Sequence, residues 1–367
     1  MNKDKLVAAL TGARMETQVK DTDWLSTGST LLNLALSGHP DRGFAKGKYF
    51  WIVGDSSSGK TFLTLTCFAE AAANPAFDGY DLIFDNAEDG ALMDPVRYFG
   101  QRMADRLQAP DTQDGLPVYS ETVEDFYFHL DRRLGLVEDG KAKPFIYLLD
   151  SMDALSSKYE GQKFAEKRRE WEGGAKAKGD YGDGKAKTNS TYIRRAVARL
   201  RRTGCILLVL SQTRDNIDAG MFEPKSTHAG GRALKFYATA QLWSRVGGRL
   251  HREVRGTKRQ TGIVCKVAIK KNRLTGREWT VEFPIMQATG IDDVGACVDY
   301  LLAEGVLKKS GATIDAGAVF DGCKGNREKV VAFVEDNELE ADLRDVVAET
   351  WAEVEQATVS TRKQRYE

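Results

Sequence analysis

The chain of 367 residues has no excess of either charge: 53 Lys and Arg stand against 53 Asp and Glu. That balance excludes a histone-like polycation and an acidic solvating chain. Histidine is scarce, and His39, His129, His228 and His251 are scattered without the spacing of metal ligands. Five cysteines (Cys67, Cys205, Cys265, Cys297 and Cys323) form no Cys-x-x-Cys pair, so they read as reduced core thiols and not as ligands or bridges. No long apolar run is present. The opening, Met1 to Val19, intersperses Lys3, Asp4, Lys5, Arg14 and Glu16 with a few apolar residues. It offers neither a signal-peptide core nor a membrane span, and a cytoplasmic location without membrane contact is expected. What is there, 42% hydrophobic and 29% charged residues with a mean hydropathy of −0.42, suits a folded globular chain with one large core.

Four apolar runs, Tyr49 to Val53, Leu82 to Phe84, Phe145 to Leu149 and Cys205 to Leu210, are continuous and not alternating, as strands buried on both faces are. Helical patterns separate them at Phe62 to Ala73, Val123 to Leu134 and Ile193 to Arg202. Alternating strands and helices predict an α/β fold, with a mostly parallel sheet flanked by helices. Further strands are expected near Gly262 to Ile269 and Trp279 to Ile285. Ser29 predicts an N-cap for a short helix through Leu36. A change to helices with charged faces places a boundary near Pro284 to Gly290, before a small C-terminal α/β domain and a basic tail. Lys158 to Lys187 holds nine Lys or Arg, six Asp or Glu and six Gly around Tyr159, Phe164, Trp171 and Tyr181. On composition it reads as a mobile, mildly basic loop or solvated insertion. Arg195, Arg199, Arg201 and Arg202 read as the solvated side of the helix whose apolar face is Ile193, Val197 and Leu200.

The sharpest motif is Gly54-Asp55-Ser56-Ser57-Ser58-Gly59-Lys60-Thr61, between an expected strand and an expected helix. Its glycines let successive N–H groups and the helix N-terminus face phosphate oxygens. Lys60 adds a point charge, and the Thr61 hydroxyl suits a magnesium shell. Binding of a nucleoside triphosphate is expected. A second carboxylate for Mg2+ is expected at Asp150, at the end of an apolar strand, with Asp153 as local rival. Asp85, Glu88 and Asp89, after Leu82 to Phe84, are candidates to activate water. Gln212, at the end of another strand, is suited to sensing the terminal phosphate.

These residues resemble the RecA family of recombinases from Ser26 to the mid-300s. The most specific likeness is Gly230-Gly231-Arg232-Ala233-Leu234-Lys235-Phe236-Tyr237-Ala238 after Gln212-Thr213-Arg214, together with Leu149-Asp150-Ser151-Met152-Asp153. The resemblance implies a RecA-like P-loop ATPase core over 25–285, an N-terminal helical segment over 1–24 that contacts a neighbouring protomer, and a C-terminal domain and tail over 286–367. It implies an ATP- and Mg2+-dependent filament on single-stranded DNA that samples duplex DNA and exchanges strands. Glu88 would be the base. Gln212 would link the phosphate to a second DNA loop over 214–231, with Arg214, Ile217, Gly230 and Gly231 as its contacts. The first DNA loop would span 156–191, with Lys187 and Arg194 near the phosphates. Lys271 and Arg273 would reach a neighbour's ATP as an arginine finger does, and Phe236 would dock into the next protomer.

The chain departs from the family where Asp85-Asn86-Ala87-Glu88-Asp89 carries an extra residue against Asp-x-Glu. Asp94-Pro95 is present near the nucleobase, but Arg97 takes the expected tyrosine's place and Tyr98 follows. The short start and basic tail are closer to phage-encoded RecA-like recombinases. A ring-forming helicase or translocase on the same core, and a KaiC-like regulatory ATPase, are the alternative readings.

Overall fold

A computed structural model of the chain describes residues 20–91, 93–173, 184–215, 226–228 and 231–358. The continuous apolar runs become the middle of a ten-stranded sheet. Strand β1 (Tyr49–Gly54) is buried along its whole length, because parallel neighbours flank it on both sides, β5 (Ile206–Asp215) and β6 (Ala240–Val254). Beyond β5 lie β4 (Phe145–Leu149), β2 (Asp81–Asp85) and β3 (Leu107–Gln108), all parallel. Beyond β6 the sheet turns antiparallel through β7 (Thr257–Asn272), β8 (Thr280–Met286) and β9 (Gly290–Ile291).

Because side chains alternate along a strand, each central strand feeds two cores. Phe50, Ile52, Leu82, Ile146, Leu148 and Leu208 join one apolar cluster, while Tyr49, Trp51, Val53, Ile83, Tyr147 and Val209 join the other. Helices α1 (Thr30–Ser37) and α2 (Lys60–Ala73) cover the first face. Helices α3 (Val123–Glu138) and α5 (Gly184–Thr203) cover the second. Ser29 caps α1 by accepting from the Leu32 N–H. All five cysteines are free and buried.

The expected loop at Lys158 to Lys187 is a correction. Lys158–Glu172 is a helix, α4, with no buried residue, and the chain is helical again from Gly184. A capping box explains it: Ser157 accepts from the Glu160 N–H while Glu160 accepts from the Ser157 N–H. Most of the glycines that lowered the helical signal lie after Trp171.

Arg199 is a second correction. It does not face solvent: its side chain is 9% exposed and bridges Asp131 and Glu138 of α3. Charge-assisted bonds to these two carboxylates draw the guanidinium inward. From Asp293 onward the chain adds a small antiparallel sheet of its own, Lys308–Ser310, Thr313–Asp315 and Lys324–Gly325. Their helices are Asp293–Ala303, Arg327–Asp336 and Glu340–Ala357. The first apolar cluster runs on into them through Cys297, Leu301, Val334 and Trp351. Asp293 accepts from both the N–H and the hydroxyl of Thr30, each at 2.7 Å.

Candidate active site

Gly54 ends β1 and Gly59 opens α2. A Cβ on Gly54 would lie 2.2 Å from the Ser244 carbonyl oxygen, and Gly59 adopts φ +88°, so both positions favour glycine. The Ser58 carbonyl accepts from Ser244 Oγ at 2.9 Å and Cys265 Sγ at 3.2 Å, which pins the loop to β6 and β7. Asp55, Ser56 and Ser57 stay exposed at its tip. Lys60 is buried, and its Nζ donates to the carbonyls of Gly54 (2.8 Å) and Asp55 (2.7 Å). Burial lowers its pKa, opposed by the negative charges of Asp150 and Glu88.

Thr61 donates to Asp150 Oδ2 at 2.6 Å. Burial raises the Asp150 pKa, with the Thr61 bond pulling it down and Glu88 adding to the rise. A buried carboxylate beside a hydroxyl at the phosphate end of the sheet is a donor set that fits Mg2+. Asp153 lies apart from that pair and instead accepts from the Gln212 backbone N–H at 2.7 Å. Among the described residues no cluster of three or more His, Cys, Asp or Glu forms a separate metal centre.

Glu88 gathers two more strand ends. Its Oε2 accepts from Ser151 Oγ at 2.9 Å and its Oε1 from Gln212 Nε2 at 2.8 Å. Its backbone N–H donates to the Asp150 carbonyl. Asp85 is separated from this group: fully buried, it accepts from Ser120 N, Ser120 Oγ and Tyr147 OH. Burial raises its pKa, against those three bonds. Thr213 also donates to Asp55, joining the strand that leads to the second loop directly to the P-loop. Ser151 and Thr213 escaped sequence reasoning; only their positions beside Asp150 and Gln212 marked them.

Beside Ser57 opens a cleft of about 410 Å³ lined by Phe62, Met93, Tyr98, Gln260, Ile285 and Gln287. Tyr98 packs edge-on to Phe62 at 5.7 Å and donates to the Gln287 carbonyl. Asp94 does not face the cleft's polar rim as a free acid; it caps the helix Pro95–Phe99 by accepting from the N–H groups of Val96 and Arg97. An apolar, aromatic cleft flanking a P-loop is suited to a nucleobase.

Lys271 and Arg273 lie toward the edge where β1 begins. Lys271 pairs across β6 with Gln241, which pairs with Trp51, whereas Gly54 is level with Ser244. Both cap the end of helix α6 (Arg232–Tyr237). Lys271 donates to the carbonyls of Lys235 and Phe236, and Arg273 to that of Phe236, whose ring is 63% exposed. Burial, then Arg273 and Lys235, push the Lys271 pKa down to about 8. The structure therefore does not bring these cations to the chain's own P-loop.

Of the expected DNA contacts, Lys187 is exposed on α5. Arg194, further along, lines a cavity of about 820 Å³ with Trp24, Lys48, Arg201, Tyr237 and Arg273. Gly231 adopts φ +80° and leaves no room for a Cβ against Ala186. Arg214 belongs to β5 by its backbone; Ile217 and Gly230 lie outside the described residues.

Fold and site together define a P-loop α/β protein whose central strand is flanked by parallel partners. Comparison carries this further. The family model for the RecA N-terminal domain matches residues 167–292. The chain is similar to Protein RecA of Cytophaga hutchinsonii, 30% identical over 301 residues, covering 80% of this chain and 72% of that protein. It is also 30% identical over 340 residues to Protein RecA of Brucella canis and of Brucella melitensis biotype 2, covering 89% of this chain and 81% of each. The chain belongs to the RecA family. Among the described residues no helix is long and apolar enough to cross a membrane.

Proposed function

We propose that the chain is a cytoplasmic DNA-dependent ATPase and DNA recombinase. It assembles as a helical filament on single-stranded DNA, pairs it with homologous duplex and exchanges strands in recombination and repair. The observation that carries this reading is the hydrogen-bonded group of Thr61, Asp150, Ser151, Glu88 and Gln212 at one end of four neighbouring strands. Gln212 sits on the strand that runs directly into the 214–231 segment, so the residue that senses the phosphate also begins the second DNA loop.

Lys60, the P-loop amides and the α2 N-terminus hold the triphosphate of ATP, and the Tyr98 cleft holds the base. Thr61 and Asp150 would hold Mg2+, which would supply charge neutralisation for the triphosphate. Glu88 takes a proton from water as the water oxygen bonds to the γ-phosphorus and the bond to the ADP oxygen breaks. Lys271 and Arg273, too far along the sheet to serve their own site, act on the neighbour's nucleotide, and Phe236 docks into that neighbour. Arg214, Ile217, Gly230 and Gly231 of the second loop, with Lys187 of the first loop over 156–191 and Arg194 beside it, hold the DNA backbone. The proposed units are the core over 25–285, flanked by 1–24 and 286–367.

A strand-exchange assay with ATP, Mg2+ and homologous substrates tests the proposal. Joint molecules that require ATP support it. Directional unwinding by closed rings would favour a helicase, and hydrolysis indifferent to DNA would favour a regulatory ATPase.

A further inference from the structure

The turn that joins β7 to β8 begins at Arg273 and is fastened at both ends, each to a different part of the molecule. At its start the buried Asn272 side chain donates to the Leu36 carbonyl of α1 and to Thr275 Oγ1, each at 2.9 Å, and accepts from the Leu274 N–H at 2.9 Å. The Arg273 N–H donates to the Thr239 carbonyl, also at 2.9 Å. The far end is held from the C-terminal part of the chain. Arg277 pairs with Glu355 of the last helix, Glu340–Ala357, at 2.6 Å. Next to it the ring of Trp279 lies 4.9 Å from that of Trp351, which also meets Tyr300 at 5.8 Å. An i, i+4 spacing puts Trp351 and Glu355 on one face of the last helix, and both contacts turn that face toward 277–279.

Stability accounts poorly for this arrangement. The Arg277 and Glu355 side chains are 41% and 24% exposed, and a pair so accessible to water adds little to folding. Among the described residues the buried Nε1 atoms of Trp279 and Trp351 and the Tyr300 hydroxyl have no hydrogen-bond partner, which costs stability. What the contacts do is geometric. They fix the backbone on the far side of Arg273 and, through it, the stem from which Arg273 and Lys271 extend. A charge that must meet a phosphate loses much of its effect when displaced by an ångström, so a turn that carries such a charge needs both anchors.

We propose that Arg277 and Glu355 are positioning residues for Lys271 and Arg273. The last helix, which lies outside the ATPase core, holds the turn at the register from which the two cations reach a neighbour's triphosphate, and Trp351 against Trp279 seats that helix. The inference rests on the reading in which Lys271 and Arg273 act in trans, and it adds that C-terminal residues set the rate of hydrolysis without touching nucleotide.

The test is Glu355→Arg, which turns the attraction to Arg277 into repulsion. In the full chain with ATP, Mg2+ and single-stranded DNA, kcat should fall roughly 5- to 10-fold. KM, ATP binding by the dilute monomer and Tm should stay near the wild type. Adding Arg277→Glu to the same chain reverses the pair and should restore most of kcat, which a loss of fold would not allow. If Glu355→Arg does not fold, Glu355→Gln decides, with kcat lower by about threefold. The same change made in a chain that already carries Lys271→Ala and Arg273→Ala should cost nothing further, because a positioning residue acts only through what it positions. An unchanged kcat in Glu355→Arg overturns the proposal, as does an equal loss in the background without the two cations, or a loss that appears in KM alone. If Lys271→Ala with Arg273→Ala leaves hydrolysis at the wild-type rate, the trans reading itself fails. If those cations matter while Glu355→Arg does not, only the role of the last helix fails.

Discussion

Gln212 donates from its side-chain nitrogen to Oε1 of Glu88 across 2.8 Å, while Oε2 of the same carboxylate accepts from Ser151 across 2.9 Å. One carboxylate thereby joins the ends of β2, β4 and β5, which are neighbours in the sheet. On the proposed reading, in which Glu88 is the base, a shift of Gln212 toward a bound phosphate would change the hydrogen bonding of that base, so nucleotide and second loop would communicate through two side chains.

Glu88→Gln keeps the shape of this contact and removes the proton acceptor. Hydrolysis should fall by roughly 10² to 10⁴ while ATP binding persists. Phosphate release and equilibrium nucleotide binding, measured on the same samples, check this; equal loss of both would remove Glu88 from the role of base.

Lys60→Ala deletes the point charge of the P-loop. Nucleotide-dependent filaments should disappear, with Tm little changed, since the lysine bonds only to loop carbonyls. Negative-stain microscopy and a thermal melt give the two readouts.

Lys271→Ala with Arg273→Ala should suppress assembly-dependent hydrolysis by roughly 10³ to 10⁵, the scale of a trans cation, and leave ATP binding by the dilute monomer intact. Lys271 carries its charge below a pKa of about 8. DNA-stimulated hydrolysis should therefore decline as pH rises through about 8, and Lys271→Arg should move that limb upward. Parallel loss of monomer binding would refute trans completion.

Arg199 and Arg202 hold the Glu138 carboxyl down at about 2. A depressed carboxylate pKa stabilises the fold above its unfolded value and loses that contribution as pH falls toward 2. Glu138→Gln should cost about 1 kcal/mol at neutral pH, discounted for solvent screening, with the difference from wild type vanishing near pH 2. Urea denaturation at several pH values measures it.

The middle of the sheet and the P-loop were legible because burial and sequence carry the same signal there. Phe145–Leu149 is apolar throughout and buried throughout. The reach of β7 was not: the expected strand at 262–269 stops where apolar residues stop, whereas backbone pairing carries polar residues out to Thr257. Arg199 was misread because its partners lie 61 and 68 residues away on another helix, a relation that helical periodicity cannot express. The cleft proposed for the nucleobase draws Phe62, Tyr98, Gln260 and Gln287 from four separate stretches; of these only Tyr98 was marked beforehand as a nucleotide contact. α4 was obscured by counting the glycines of a whole segment together, when most fall after the helix.

The most direct test of the central claim is ATP hydrolysis with and without single-stranded DNA, from low to high salt, with the same samples viewed by negative-stain microscopy. Strong stimulation that weakens with salt, accompanied by helical filaments, is the predicted result. Hydrolysis indifferent to DNA, without polymers, would contradict it.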